Sequence, residues 1–161
     1  MLRISKTEYY LKIAETVALR GTCCIRNYGV VIVKDDQVIS TGYTGAPRGL
    51  YNCIEYDEPC PRLLNREAPG MGFGSCKSVH AEMNAIINVA RRDLLNSTMF
   101  IACVASKYGE ITKDTEPCQF CRRMIINAGI SNIICTGLND TVAYTIEDMI
   151  HKELDSYGGL S

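Results

Sequence analysis

Two short runs constrain this chain more than anything else in it. One is Ser78-Val79-His80-Ala81-Glu82; the other, Pro117-Cys118-Gln119-Phe120-Cys121, begins 35 residues after Glu82. Together they read His-x-Glu and Pro-Cys-x-x-Cys. One imidazole and two thiolates supply three ligands for a zinc ion, with the Glu82 carboxylate left over. Three protein ligands leave one tetrahedral position open, which separates a catalytic zinc from a structural one. Any fold of this chain must therefore bring residues 80–82 and 118–121 to one point.

Each run also opens a helical pattern. Residues 80–91 (HAEMNAIINVAR) are apolar at Met83, Ile86, Ile87 and Ala90. Pro117 is expected at the first position of a second helix, where proline is favoured. That helix should run to about Asn127 and stop at Gly129. Cys118 and Cys121, three residues apart, share a helix face. The positive ends of both helix dipoles can then point at one site and favour thiolate over thiol.

Taken alone, each run says little. A Cys-x-x-Cys pair fits a redox dithiol or half of a closed structural zinc site, and a lone His-x-Glu carries almost nothing. A closed site with a fourth protein ligand would leave Glu82 without a task. A carboxylate beside an open zinc position can accept and then return a proton, serving as base and acid in turn.

The remaining chain reads as alternating elements. Residues 5–19 (SKTEYYLKIAETVAL) show helical spacing at Tyr9, Ile13, Ala14, Val17 and Ala18, with Ser5 as N-cap and Glu8 completing a capping box. Residues 29–34 and 37–42 form a hairpin around Asp35-Asp36. Residues 45–77 are rich in Gly, Pro and Cys and read as a long loop that something must tie down. Strands are expected at 98–104 and 131–136, with a polar, hairpin-like excursion at 105–116 around Gly109. A C-terminal helix is expected over 140–156, with His151 a solvated residue on it. Strands alternating with helices imply a layered α/β domain, one domain over 1–161.

Composition excludes several classes. No apolar run approaches the roughly 20 residues of a membrane span. The start, Met1-Leu2-Arg3-Ile4-Ser5-Lys6, lacks the apolar core of a secretory signal, so a cytoplasmic location is expected. Net charge is −1, which argues against an extended nucleic-acid surface but not against a small anionic substrate.

Beyond the two motifs, three stretches carry a family likeness. They are Ile39-Ser40-Thr41-Gly42-Tyr43-Thr44-Gly45-Ala46-Pro47-Arg48-Gly49, then Ser78 to Ile86, then Ile125-Ile126-Asn127-Ala128-Gly129-Ile130. With the paired motifs, which resemble the signature of zinc-dependent nucleobase deaminases, the chain is similar to the deoxycytidylate deaminases from about residue 5 to residue 137. The resemblance implies a three-layer α/β/α cytidine-deaminase-like fold with a central mixed sheet of about five strands. It implies zinc-dependent conversion of dCMP to dUMP, with Glu82 catalytic and His80, Cys118 and Cys121 on the zinc. It also implies that the Ala81 N–H meets the cytosine carbonyl oxygen and that Asn27 contacts substrate. Many members are homo-oligomers, hexamers or dimers, activated by dCTP and inhibited by dTTP. Thr44 departs from the family's Gly-Tyr-Asn-Gly run, which is associated with effector binding. Tyr28-Gly29-Val30 stands where Val-Gly-Ala is usual. The substrate phosphate needs cations, and Arg26 and Arg48 lie in segments that should flank the pocket; each is otherwise an ordinary solvated arginine. Competing readings are a related amino-hydrolase on a nucleoside, guanine or a tRNA adenosine, and a catalytically inert zinc-binding or nucleic-acid-binding module.

Nine cysteines is an odd count. Cys103 and Cys135, inside apolar runs, read as buried free thiols. Cys23 (preferred to Cys24 by its spacing to Gly29), Cys53, Cys60 and Cys76 bracket the long loop. Four such thiolates would close a second, structural zinc site whose binding offsets the ordering entropy of the loop. Some deoxycytidylate deaminases carry a second zinc nearby.

Overall fold

The computed structural model describes residues 3–55, 60–66, 74–107 and 115–158. The described strands form one five-stranded sheet: β1 (Arg26–Lys34), β2 (Gln37–Tyr43), β3 (Thr98–Ala105), β4 (Asn132–Thr136) and β5 (Thr141–Thr145), in the order β2-β1-β3-β4-β5. The sheet is mixed. β3 and β4 run parallel and the other neighbours antiparallel. The helices are α1 (Lys6–Ala18), α2 (Pro61–Leu64), α3 (Ala81–Ile87), α4 (Arg91–Leu94), α5 (Gln119–Ala128) and α6 (Ile146–Ser156), with a 3-10 turn at Cys53–Glu55.

Period-two alternation along the central strands builds two cores. Val31 and Val33 of β1, with Phe100 and Ala102 of β3, pack against Tyr10, Leu11 and Ala14 of α1. Val30 and Ile32, with Met99, Ile101, Ile133 and Cys135, pack on the other face against Ala81, Ala85, Ile125, Ala128 and Met149 of α3, α5 and α6. The result is three layers, α/β/α. Because β1 is covered on both faces, its sequence is a near-continuous apolar run instead of an alternating one. Gly29 lets α1 lie flush on it: a methyl group there would stand 2.1 Å from the Ala14 carbonyl oxygen.

Several elements differ from the sequence reading. Ser5 Oγ caps α1 by accepting from the Glu8 N–H, while the Glu8 carboxylate pairs with Lys12. The hairpin turns through Asp35 and Asp36, both at positive φ, as a tight two-residue loop requires. The helix expected over 80–91 ends at Ile87, with Asn88 as its C-cap, and Arg91 starts a separate turn, α4. The second motif's helix begins at Gln119, not Pro117. Cys118 is its N-cap and Pro117 lies one residue outside. Its end at Gly129, φ 80°, is as expected of a left-handed C-cap. Residues 140–145 were expected to be helical, yet 141–145 form the edge strand β5. The helix starts only where Thr145 and Asp148 close a capping box. The excursion around Gly109 lies outside the described residues.

The long loop is held by backbone pairing. Gly45 and Val79 exchange two hydrogen bonds, at 3.2 and 2.8 Å, and the Ile54 N–H reaches the Thr22 carbonyl at 3.2 Å. The exit of β2 is thereby stitched to the residue immediately before His80.

Candidate metal and catalytic centre

His80 is the N-cap of α3 and Cys118 the N-cap of α5, so the two helix starts face each other. The His80 Nδ1 atom lies 3.5 Å from Cys118 Sγ and 3.4 Å from Cys121 Sγ. All three ligand atoms are within 4.8 Å of one another. For a tetrahedral zinc with Zn–S about 2.3 Å and Zn–N about 2.0–2.1 Å, an N-to-S edge is about 3.5 Å. The trio therefore fits zinc without rearrangement.

Electrostatics agree with a ligand set. The Cys118 thiol is brought down to about 4, chiefly by its hydrogen bond with Cys121 and, after opposing burial, by the His80 imidazole. The Cys121 thiol is pushed up by that same bond and by burial. His80 is raised, first by Cys118. Glu82, one residue into α3 from Ala81, is buried beside this trio, and burial raises its carboxyl above the usual range.

The other candidate residues are placed as follows. Ala81, fully buried, is the first residue of α3, where a backbone N–H has no intrahelical acceptor. Arg26 and Tyr28 share the face of β1 that looks toward α3 and α5. Asn27 lies on the opposite, α1 side in step with Gly29, and its Oδ1 accepts from the Cys23 N–H at 2.9 Å. Arg48 is exposed in the turn after β2. Cys23, Cys53, Cys60 and Cys76 are all half-buried. Burial raises the Cys23 thiol, with smaller contributions from Cys53 and Cys76. Among the described residues, however, only His80, Cys118 and Cys121 bring three ligand atoms within 4.8 Å. Cys103 and Cys135 are buried, as small apolar thiols should be, and His151 is exposed.

Three residues had no structural role in the sequence reading. Tyr28 packs close enough to Glu82 and Arg26 for each to act on its phenol, which burial drives up to about 12. Thr44 is buried and accepts from the Tyr28 N–H at 3.1 Å, fastening the end of β2 to β1. Glu153 is a charged residue at a buried position of α6, in line with Met149. A carboxylate within an apolar stripe was the available signal for it.

A family model described as the cytidine and deoxycytidylate deaminase zinc-binding region matches residues 4–137. The chain is 35% identical over 139 residues to the deoxycytidylate deaminase of Mycobacterium phage D29, spanning 83% of this chain and 96% of that protein. It is 34% identical over 158 residues to the deoxycytidylate deaminase of Saccharomyces cerevisiae, spanning 98% of this chain but only 44% of that longer protein. The crystal structure of the cyanophage S-TIM5 dCMP deaminase in complex with dCMP and dUMP aligns with a TM-score of 0.56. Its identity is 23%, over 83% of this chain and 82% of that one. A cytidine deaminase from Burkholderia pseudomallei aligns at 0.58 with 13% identity, over 88% and 94%. At such identities the structural likeness speaks to the fold. With the zinc-fitting trio, these matches define a class, the zinc-binding deaminases. The chain belongs to the cytidine and deoxycytidylate deaminase family.

Proposed function

We propose that this chain hydrolyses dCMP to dUMP and ammonia. One observation carries the reading: a buried carboxylate, Glu82, stands beside a His/Cys/Cys trio at tetrahedral spacing and is not needed as a ligand. Relatives with 34–35% identity bear the name deoxycytidylate deaminase, which favours this substrate.

Zinc, when bound by His80, Cys118 and Cys121, supplies a Lewis acid that brings the pKa of a water molecule from 15.7 to about 7. Glu82 holds that water and takes its proton. The same carboxylate delivers that proton to the ring nitrogen beside the reacting carbon as the water oxygen bonds to that carbon; it then takes the second proton from the added hydroxyl and passes it to the exocyclic amine. The C–N bond breaks, ammonia leaves, and a carbonyl remains where the amine stood. A raised carboxyl pKa suits a group that must be base and acid in turn. The Ala81 N–H orients the cytosine carbonyl, and Arg26 with Arg48 meets the phosphate; Asn27, on the α1 face of the sheet and bonded to the Cys23 N–H, is left out of this contact set. A structural zinc on Cys23, Cys53, Cys60 and Cys76 needs their thiols drawn closer than they stand in this structure; two zinc ions per wild-type chain and one in Cys118→Ser would support it.

The enzyme works in the cytoplasm as a homo-oligomer, a hexamer or a dimer; Thr44, standing where the family's effector-associated run has Asn, is buried against Tyr28, and a kinetic trace with dCTP and with dTTP tests their regulation. No helix among the described residues is long and apolar enough to cross a membrane. Ammonia release measured side by side from dCMP, CMP, deoxycytidine, cytosine, guanine and a tRNA stem-loop tests the substrate. dCMP should be fastest; faster turnover of any other, or none of dCMP, overturns the reading.

A further inference from the structure

The C-terminal unit β5–α6 reaches the second metal-binding turn through side chains, and the ties fall on residues that flank Cys118. Glu116 Oε1 accepts from Lys152 Nζ of α6 at 2.8 Å, and its Oε2 accepts from the Tyr144 hydroxyl of β5 at 3.5 Å. The Pro117 carbonyl accepts from Arg122 Nη1 at 3.4 Å. Arg122 Nε donates in turn to Glu153 Oε1 at 2.9 Å, while Arg123 Nε donates to Glu153 Oε2, also at 2.9 Å. Gln119 Nε2 donates to Ser156 Oγ at 3.1 Å, and that hydroxyl donates to the Glu153 carbonyl at 2.7 Å.

Glu153 is the pivot of this arrangement. Its side chain is only 10% exposed, and each carboxylate oxygen is taken by a different guanidinium. The Arg122 it holds is one turn beyond Cys118 on α5 and reaches back over the proline that precedes that ligand. A buried carboxylate so placed is costly unless its partners are fixed, so it and Arg122 hold each other in one geometry.

We propose that Glu153 is a positioning residue for the metal centre. Acting through Arg122 and the Pro117 carbonyl, it fixes the turn from which Cys118 and Cys121 project. Helix α6 is then a working part of the site, although it lies beyond residues 4–137, the span the family model matches. Tetrahedral ligation tolerates only small displacements of the sulfurs, and partners outside the ligand set typically change metal affinity about 10- to 100-fold. The proposal rests on His80, Cys118 and Cys121 being the zinc ligands.

The test is zinc release from the loaded protein to a chromogenic chelator, together with the thiolate charge-transfer spectrum of the cobalt-substituted form. Glu153→Gln should release zinc about 10-fold faster and alter the cobalt spectrum, with kcat reduced more than KM is changed. Ser5→Ala, which removes the α1 cap on the far side of the sheet, is the control for lost stability and should release zinc at the wild-type rate. Equal release and equal spectra in Glu153→Gln and wild type overturn the proposal, as does equally fast release from Ser5→Ala. If Glu153→Gln does not fold, Arg122→Lys, which keeps the charge but loses the Nε donor to Glu153, takes its place with the same expectation. A wild-type protein that binds no zinc would instead remove the ligand assignment itself.

Discussion

Gly42 of β2 and Ala85 of α3 touch backbone to backbone. A methyl group on Gly42 would stand 2.4 Å from the Ala85 nitrogen and 2.4 Å from the Ala81 carbonyl oxygen. Two residues earlier on the same face, Ser40 Oγ donates to the Ala85 carbonyl at 2.7 Å. At Gly42 the helix that presents Glu82 is therefore seated directly on the strand backbone. Gly42→Ala must push α3 outward. Overpacking of this kind costs about 1–3 kcal/mol, so the urea midpoint should fall and kcat should fall with it. An unchanged midpoint would refute this close seating.

Glu82→Gln preserves shape and removes the proton acceptor. Metal analysis should find zinc retained, while ammonia release from dCMP falls by about 10²–10⁴-fold, the usual worth of general acid–base catalysis. Near-normal turnover would remove Glu82 from the mechanism.

Arg26 shares its strand face with Tyr28, which packs against the core beneath α3. If its guanidinium meets the phosphate, Arg26→Leu should raise KM for dCMP by about 10-fold or more, as loss of a hydrogen bond to a charged group predicts. KM for deoxycytidine, which has no phosphate, should hardly move. Equal effects on both substrates would place Arg26 elsewhere.

The Glu153 carboxyl is subject to burial, which raises it, but Arg123 and Arg122 outweigh that and hold it below the usual glutamate range. A depressed folded value contributes stability above the unfolded value of about 4.3 and loses it as pH falls through the folded value. Melting temperature should therefore drop more steeply on acidification in wild type than in Glu153→Gln. Parallel curves below about pH 4.5 would contradict the assignment.

The metal trio was legible because its ligands lie in local motifs, each at the head of a helix, and helix starts are visible in sequence. Boundaries were less so. Residues 141–145 were joined to the helical stripe of 146–154 although Val142 and Tyr144 alternate with the exposed Thr141, Ala143 and Thr145, because five residues are too short a run for that alternation to stand out. Thr145 with Asp148 had the spacing of a helix start and would have separated them. Pro117 fitted a first helical position, but the helix begins two residues later, with Cys118 taking the cap. The Glu153–Arg122 pairing joins residues 31 apart across two elements, and no local pattern encodes such a contact.

The β1–β3 pairing has a consequence for folding. Arg26 pairs with Ala105, so His80 sits inside the loop of chain that this pairing closes, while Cys118 and Cys121 lie outside it. The ligands therefore come from both sides of the most non-local pairing in the sheet, a kind of contact associated with slow folding. An ion held by all three bridges the two segments, so zinc should add to the stability of the folded chain by mass action.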